Sequence, residues 1–130
     1  MNYVLDTNAL LFWLEGSRRM TRLVQNELVD PTNRVFVSSV SAFEIAVKAS
    51  LKRLILADTP ARLLTPFFAA SGLRPLQLTM QHSFGVFDLP PHHSDPFDRL
   101  LVSQALHEEM TLVTSDRALA AYPVKVLLVR

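Results

Sequence analysis

The sequence predicts an α/β fold: a parallel sheet covered by helices on both faces. Three observations carry that expectation. Strand-like and helix-like segments alternate along the chain, the order that βαβ units require. The strand-like segments are almost wholly apolar, as strands buried on both faces must be. The chain has 130 residues, 49% of them apolar, which matches one ordinary domain with a core. No repeat, low-complexity tract or linker interrupts residues 1–130, so a single domain is expected.

In chain order, NYVLD reads as a short buried strand that stops on Asp6. ALLFWLEG begins a helix, and a second, amphipathic helix covers Arg18 to Val29 before the turn Asp30-Pro31-Thr32-Asn33. RVFVSS, β-branched and aromatic, is a strand. SAFEIAVKASLKRL has apolar residues at helical spacing, and Ser41-x-x-Glu44 has the form of a capping box. Thr59 to Ala70 reads as another helix, with Pro60 in its first turn and Gly72 past its end. LRPLQLT makes a short edge strand, where the missing N–H of Pro75 is tolerated. A short helix from about Thr79 to Phe87 and the loop LPPHHS follow. In DPFDRLLVSQALHEE, Asp95 caps a helix and Pro96 fits its first position. TLVTS is a strand, DRALAAY a short helix and VKVLLV the closing strand.

Composition narrows the chemistry. There is no cysteine, so disulfides and thiolate metal sites are excluded and any metal is held by oxygen or imidazole. The same absence fits a reducing cytoplasm. No run of roughly 18 apolar residues predicts a membrane span, and the first residues lack the basic start of a signal peptide. Net charge is only +1, but it is segregated. Between Ser17 and Arg53 stand seven basic residues (Arg18, Arg19, Arg22, Arg34, Lys48, Lys52, Arg53) against three acidic ones. Between Phe87 and Asp116 stand six acidic residues against Arg99 alone. Ordinary solvated helix faces give such a pattern; so does a polyanion bound beside an acidic pocket.

In open parallel sheets, sites form beyond the carboxyl ends of the strands. Asp6 follows NYVL, Glu44 lies one turn into the helix after RVFV, and Asp116 follows TLVT and Ser115. Asp95 and Asp98 open the helix that leads into TLVT. Taken singly, each acid reads as a helix cap. Taken together they exceed what capping needs, because Thr7 or Asn8, Ser41, Ser94 and Ser115 are already available. Two unit charges about 4 Å apart repel by roughly 4 kcal/mol at an effective dielectric near 20. A helix dipole offsets only about 0.3–1 kcal/mol. Protonation or a cation must compensate, and oxygen ligands without thiolate point to Mg²⁺ or Mn²⁺. Such an ion suits hydrolysis of a phosphodiester, and the basic stretch could track a nucleic-acid backbone.

The stretches LDTNALL, SAFEIAVK, HSDPFDRLLVSQA and LVTSD, in that order, resemble the motifs of PIN-domain ribonucleases. More narrowly they resemble the toxin members of VapBC-type toxin–antitoxin pairs. The resemblance runs from Asn2 to the last strand. It implies a three-layer α/β/α sandwich with a central parallel sheet, and endonucleolytic cleavage of RNA dependent on Mg²⁺ or Mn²⁺. Carried over by position, Asp6, Asp98 and Asp116 hold metal, and Glu44 binds a second ion or orients the attacking water. Asn8 and Ser115 steady the carboxylates or contact the metal's waters, and Thr7 is a helix cap. Asp95 is taken as a cap, on its Asp-Pro signal, and Arg99 as pairing with an acid rather than reaching a phosphate.

The family also implies partners: RNA as substrate, a cognate antitoxin, and a second copy in a homodimer. LLFWL is apolar on nearly every side, so Phe12 and Trp13 are expected at the antitoxin groove or in the core. The adjacent His92 and His93 lack a partner at i+4, which argues against zinc and for loop positions that support the site. Two other classes compete with the nuclease. A receiver-like signalling domain would want an acidic pair after the first strand and a late lysine; a non-catalytic interaction domain would use its acids only as caps.

Overall fold

The computed structural model describes residues 1–130. Five strands, β1 (Asn2–Leu5), β2 (Arg34–Ser38), β3 (Arg74–Leu76), β4 (Thr111–Thr114) and β5 (Val126–Leu128), form one sheet in the order β3-β2-β1-β4-β5. Every pairing is parallel, with Val4 opposite Phe36 on one side and Leu112 on the other. The six helices are α1 (Thr7–Glu15), α2 (Arg22–Val29), α3 (Ser39–Ser50), α4 (Pro60–Ser71), α5 (Met80–Gly85) and α6 (Pro96–His107). Single 3₁₀ turns cover Val86–Asp88 and Arg117–Ala121.

Successive strand side chains point to opposite faces, so the apolar strands feed two cores. On one face Tyr3, Leu5, Val35, Val37 and Val113 pack with Leu10 of α1, Val24 and Leu28 of α2 and Leu64 of α4. On the other, Val4, Leu76 and Leu112 pack with Leu101, Val102 and Ala105 of α6. The result is a three-layer α/β/α sandwich. No helix is long and apolar enough to cross a membrane.

Four local expectations need correction. Helix α2 starts at Arg22, not Arg18: Ser17 Oγ accepts from the Arg19 N–H at 3.1 Å and makes a turn, and Thr21 caps the helix. Asp6, not Thr7, caps α1. Ser41 and Glu44 form no capping box, because Ser38 caps α3 and both residues lie inside it, buried. The same helix ends at Ser50, where Lys52 adopts the left-handed region at φ 58° and the Arg53 N–H closes on the Lys48 carbonyl at 2.9 Å.

Candidate functional site

The chain lays down β2 and β3 to one side of β1, then β4 and β5 to the other. Connections therefore diverge at the carboxyl ends of β1 and β4 and leave a crevice there. Asp6 follows β1 and Asp116 lies just past β4. Asp98 enters from the first turn of α6, and Glu44 from α3, the helix that follows β2.

Both oxygens of Asp6, which is 3% exposed, are engaged. Oδ1 accepts from the Ala9 N–H at 2.7 Å, and Oδ2 accepts from the Thr114 hydroxyl. The Thr114 oxygen in turn accepts from the Asp116 backbone N–H at 3.0 Å, which ties the Asp6 carboxylate and the Asp116 main chain to one side chain. Glu44 is 4% exposed; Thr7 donates to its Oε1 at 2.6 Å and Lys48 to its Oε2 at 2.5 Å. Asp95 caps α6 by accepting from the Phe97 and Asp98 N–H groups at 2.8 and 3.5 Å. His93 bridges two acids, with Nε2 2.8 Å from Asp116 and 3.6 Å from Asp98.

The electrostatics show how crowded this negative charge is. Burial, joined by Glu44 and Asp116, pushes the Asp6 carboxyl up to about 6, against the hydrogen bonds it accepts. Burial, then Asp95 and Asp6, pushes Asp98 up to about 7, with His93 opposing. Lys48 is held above its ordinary range, chiefly by its bond to Glu44. A carboxylate offers about four lone-pair positions, so Asp6 and Glu44 retain acceptor capacity beyond the bonds they make. Hard oxygen donors converging where protonation has become easy suit a small divalent cation. Asp6, Glu44, Asp98 and Asp116 are the residues that could hold it.

The remaining residues singled out in the sequence divide. Asn8 and Ser115 are exposed and make no side-chain hydrogen bond; Thr7 and Thr114, both buried, steady the carboxylates instead. Arg99 pairs with no acid. Its guanidinium donates to the carbonyls of Val86, Leu89 and His93 at 3.1, 3.2 and 3.4 Å, because α6 carries it under the loop that those residues form. Phe12 and Trp13 are half-buried against the first core: Trp13 meets Phe67 edge-on at 5.4 Å, and the Arg19 guanidinium lies 5.5 Å from the Phe12 ring. Thr114 is absent from the sequence reading, and Thr7 and Lys48, read there as a cap and as part of the basic stretch, instead hold Glu44. A polar side chain ending an otherwise apolar strand was the only signal for Thr114.

The PIN domain family matches residues 3–125. No curated protein matches the chain in sequence. Among solved structures, the fold is similar to VapBC2 from Rickettsia felis bound to a promoter DNA fragment, with a TM-score of 0.75 and 19% identity over 98% of each chain. It is also similar to DNA-bound VapBC from Salmonella typhimurium, with a TM-score of 0.71 and 17% identity over 100% of this chain and 99% of that one. A third likeness is to FitAcB from Neisseria gonorrhoeae, with a TM-score of 0.68 and 16% identity over 96% of each. With nearly the whole chain matched, and four acids gathered at the carboxyl edge of a parallel sheet, this protein belongs to the PIN domain family.

Proposed function

We propose that this chain is an endoribonuclease that uses Mg²⁺ or Mn²⁺, and that it is the toxin of a type II toxin–antitoxin pair acting in the cytoplasm. One observation carries the nuclease reading. Asp6 and Asp98, from distant parts of the sequence, share a pocket with Glu44 and Asp116 in which burial and mutual repulsion disfavour their charged forms. A bound cation would activate water and offset charge on the phosphodiester. Asp6, Asp98 and Asp116 hold it. Glu44, fixed by Thr7 and Lys48, binds a second ion or orients the attacking water. Arg18, Arg19, Arg22 and their neighbours attract the RNA backbone.

The partner reading rests on the similar folds, whose structures include toxin–antitoxin complexes such as one from Klebsiella pneumoniae. A cleft of roughly 470 Å³, where Trp13, Leu28 and Val29 stand beside Asp30, Asn33 and Arg74, offers a mixed apolar and polar wall for an antitoxin segment. A homodimer would bring two acidic pockets onto one face. The decisive experiment incubates the purified, partner-free chain with assorted RNAs, with and without Mn²⁺. Cleavage that requires the ion and is lost in Asp6→Asn, Glu44→Gln, Asp98→Asn and Asp116→Asn is the expected result. Cleavage that survives all four substitutions refutes the site.

A further inference from the structure

His93 stands inside the acidic pocket, yet its ring does not have the chemistry of a ligand. Its Nδ1 accepts from the Asp95 backbone N–H at 3.0 Å. An amide N–H only donates, so Nδ1 carries no proton and the neutral ring must carry its proton on Nε2. That nitrogen is therefore a donor to Asp116 Oδ2, 2.8 Å away, and has no lone pair to offer a cation. Moving the proton to Nδ1, or adding a second one, would set two donors against each other and break the bond to Asp95. The ring is also held from behind. The His93 N–H donates to the Tyr122 hydroxyl at 3.0 Å, and Arg99 fastens the preceding loop through three carbonyls.

The same reasoning removes a second cluster from consideration. His82, His107 and Glu108 bring possible ligand atoms together, and the buried His82 Nε2 has no partner. But His82 Nδ1 accepts from the Thr79 N–H at 3.1 Å in the cap of α5, so Nε2 is again the protonated nitrogen.

We propose that His93 is a positioning residue of the cation site, not a member of its ligand set. Fixed in one tautomer by the Asp95 amide, it donates to Asp116 Oδ2 while the Ala118 N–H donates to Oδ1 at 2.9 Å, and the two bonds together set the orientation of the carboxylate. The Asp116 side chain is 39% exposed, so it depends on these two bonds for its orientation more than buried Asp6 depends on any one of its own. Outer partners that orient ligating groups commonly contribute about 10–100-fold in metal affinity. This role rests on the reading of the pocket as a cation site.

The test uses the intact chain without RNA. In wild type, the ¹⁵N shifts of the His93 ring should report a proton on Nε2 both before and after saturation with Mg²⁺. Mn²⁺ affinity, from electron paramagnetic resonance of the free ion, should fall about tenfold or more in His93→Ala. His93→Gln, which keeps an N–H donor, should recover part of the loss. Loss of the Nε2 proton on Mg²⁺ binding would make His93 a ligand and overturn the proposal. So would Mn²⁺ binding by His93→Ala as tight as wild type. Wild type that binds no Mn²⁺ fails at the earlier step and overturns the cation site itself.

Discussion

The carboxyl groups of the pocket are not equivalent, and their surroundings decide what each substitution does. Asp98 is raised to about 7 by burial and by its acidic neighbours, and no protein N–H or O–H donates to it, since His93 Nε2 stays 3.6 Å away and bonds Asp116 instead. Asp98→Asn therefore removes repulsion and loses little. It should stabilise the metal-free protein by about 1–2 kcal/mol at pH 8, measured by urea unfolding, while abolishing RNA cleavage. Asp6→Asn should abolish cleavage without that gain, because both Asp6 oxygens accept hydrogen bonds and an amide nitrogen can replace neither. Lys48 poses the opposite case. Its side chain is 44% exposed but it neutralises Glu44, which is 5% exposed. Lys48→Met should cost about 1–3 kcal/mol, and Glu44→Gln added to it should recover most of that, since the penalty is a buried charge left with Thr7 alone. Equal instability of the single and double variants would show that Lys48 acts through packing.

Elements built from local rules were legible in the sequence, and those built from distant contacts were not. Asp95-Pro96 at the start of α6 and Thr59-Pro60 with Gly72 around α4 are complete signals within a few residues, and the structure uses each as read. The serines around α3 gave no unique answer. Ser38, Ser39 and Ser41 are all competent caps, and the choice of Ser38 follows from tertiary demands on Ser41 and Glu44, which Thr7 reaches from α1. Thr114 is unreadable for the same reason: its partner Asp6 lies 108 residues away. Packing between elements also fixes Gly85 at the end of α5. A Cβ there would stand 2.6 Å from Ser103 Oγ on α6, whose hydroxyl donates to the His82 carbonyl at 2.5 Å. Gly85→Ala should thus destabilise the protein by about 1–3 kcal/mol, through overpacking. Combined with Ser103→Ala it should cost less than the two changes summed, a coupling that thermal unfolding of the four proteins would measure.

For the molecule as a whole, the pocket makes stability depend on pH and on metal in linked ways. Free carboxylates titrate near 3.9, whereas Asp6 and Asp98 in the folded chain titrate at about 6 and about 7. Between those limits the folded state holds more protons than the unfolded state, so stability falls as pH rises from about 4 to about 7. The Asp98 contribution is half lost at pH 7, and above about pH 8 the loss is complete and no longer grows. Buried His82 works in the other direction. Burial lowers its basicity, so the folded chain resists its protonation and gains stability as pH rises toward about 6.5. Comparing wild type with Asp98→Asn cancels the histidine and isolates the carboxylate. The difference in melting temperature between them should widen from pH 4 through pH 7 and level off by about pH 8. Mn²⁺ should close the gap from the wild-type side: at 100 times its dissociation constant a ligand specific for the folded state adds about 2.7 kcal/mol. Because binding favours the charged carboxylates, Mn²⁺ should also expel protons at pH 6 and far fewer at pH 8. Calorimetric titration in buffers of different ionisation enthalpy reads that release directly. A binding heat independent of buffer at pH 6 would mean that Asp6 and Asp98 are already charged there and that burial does not govern this site.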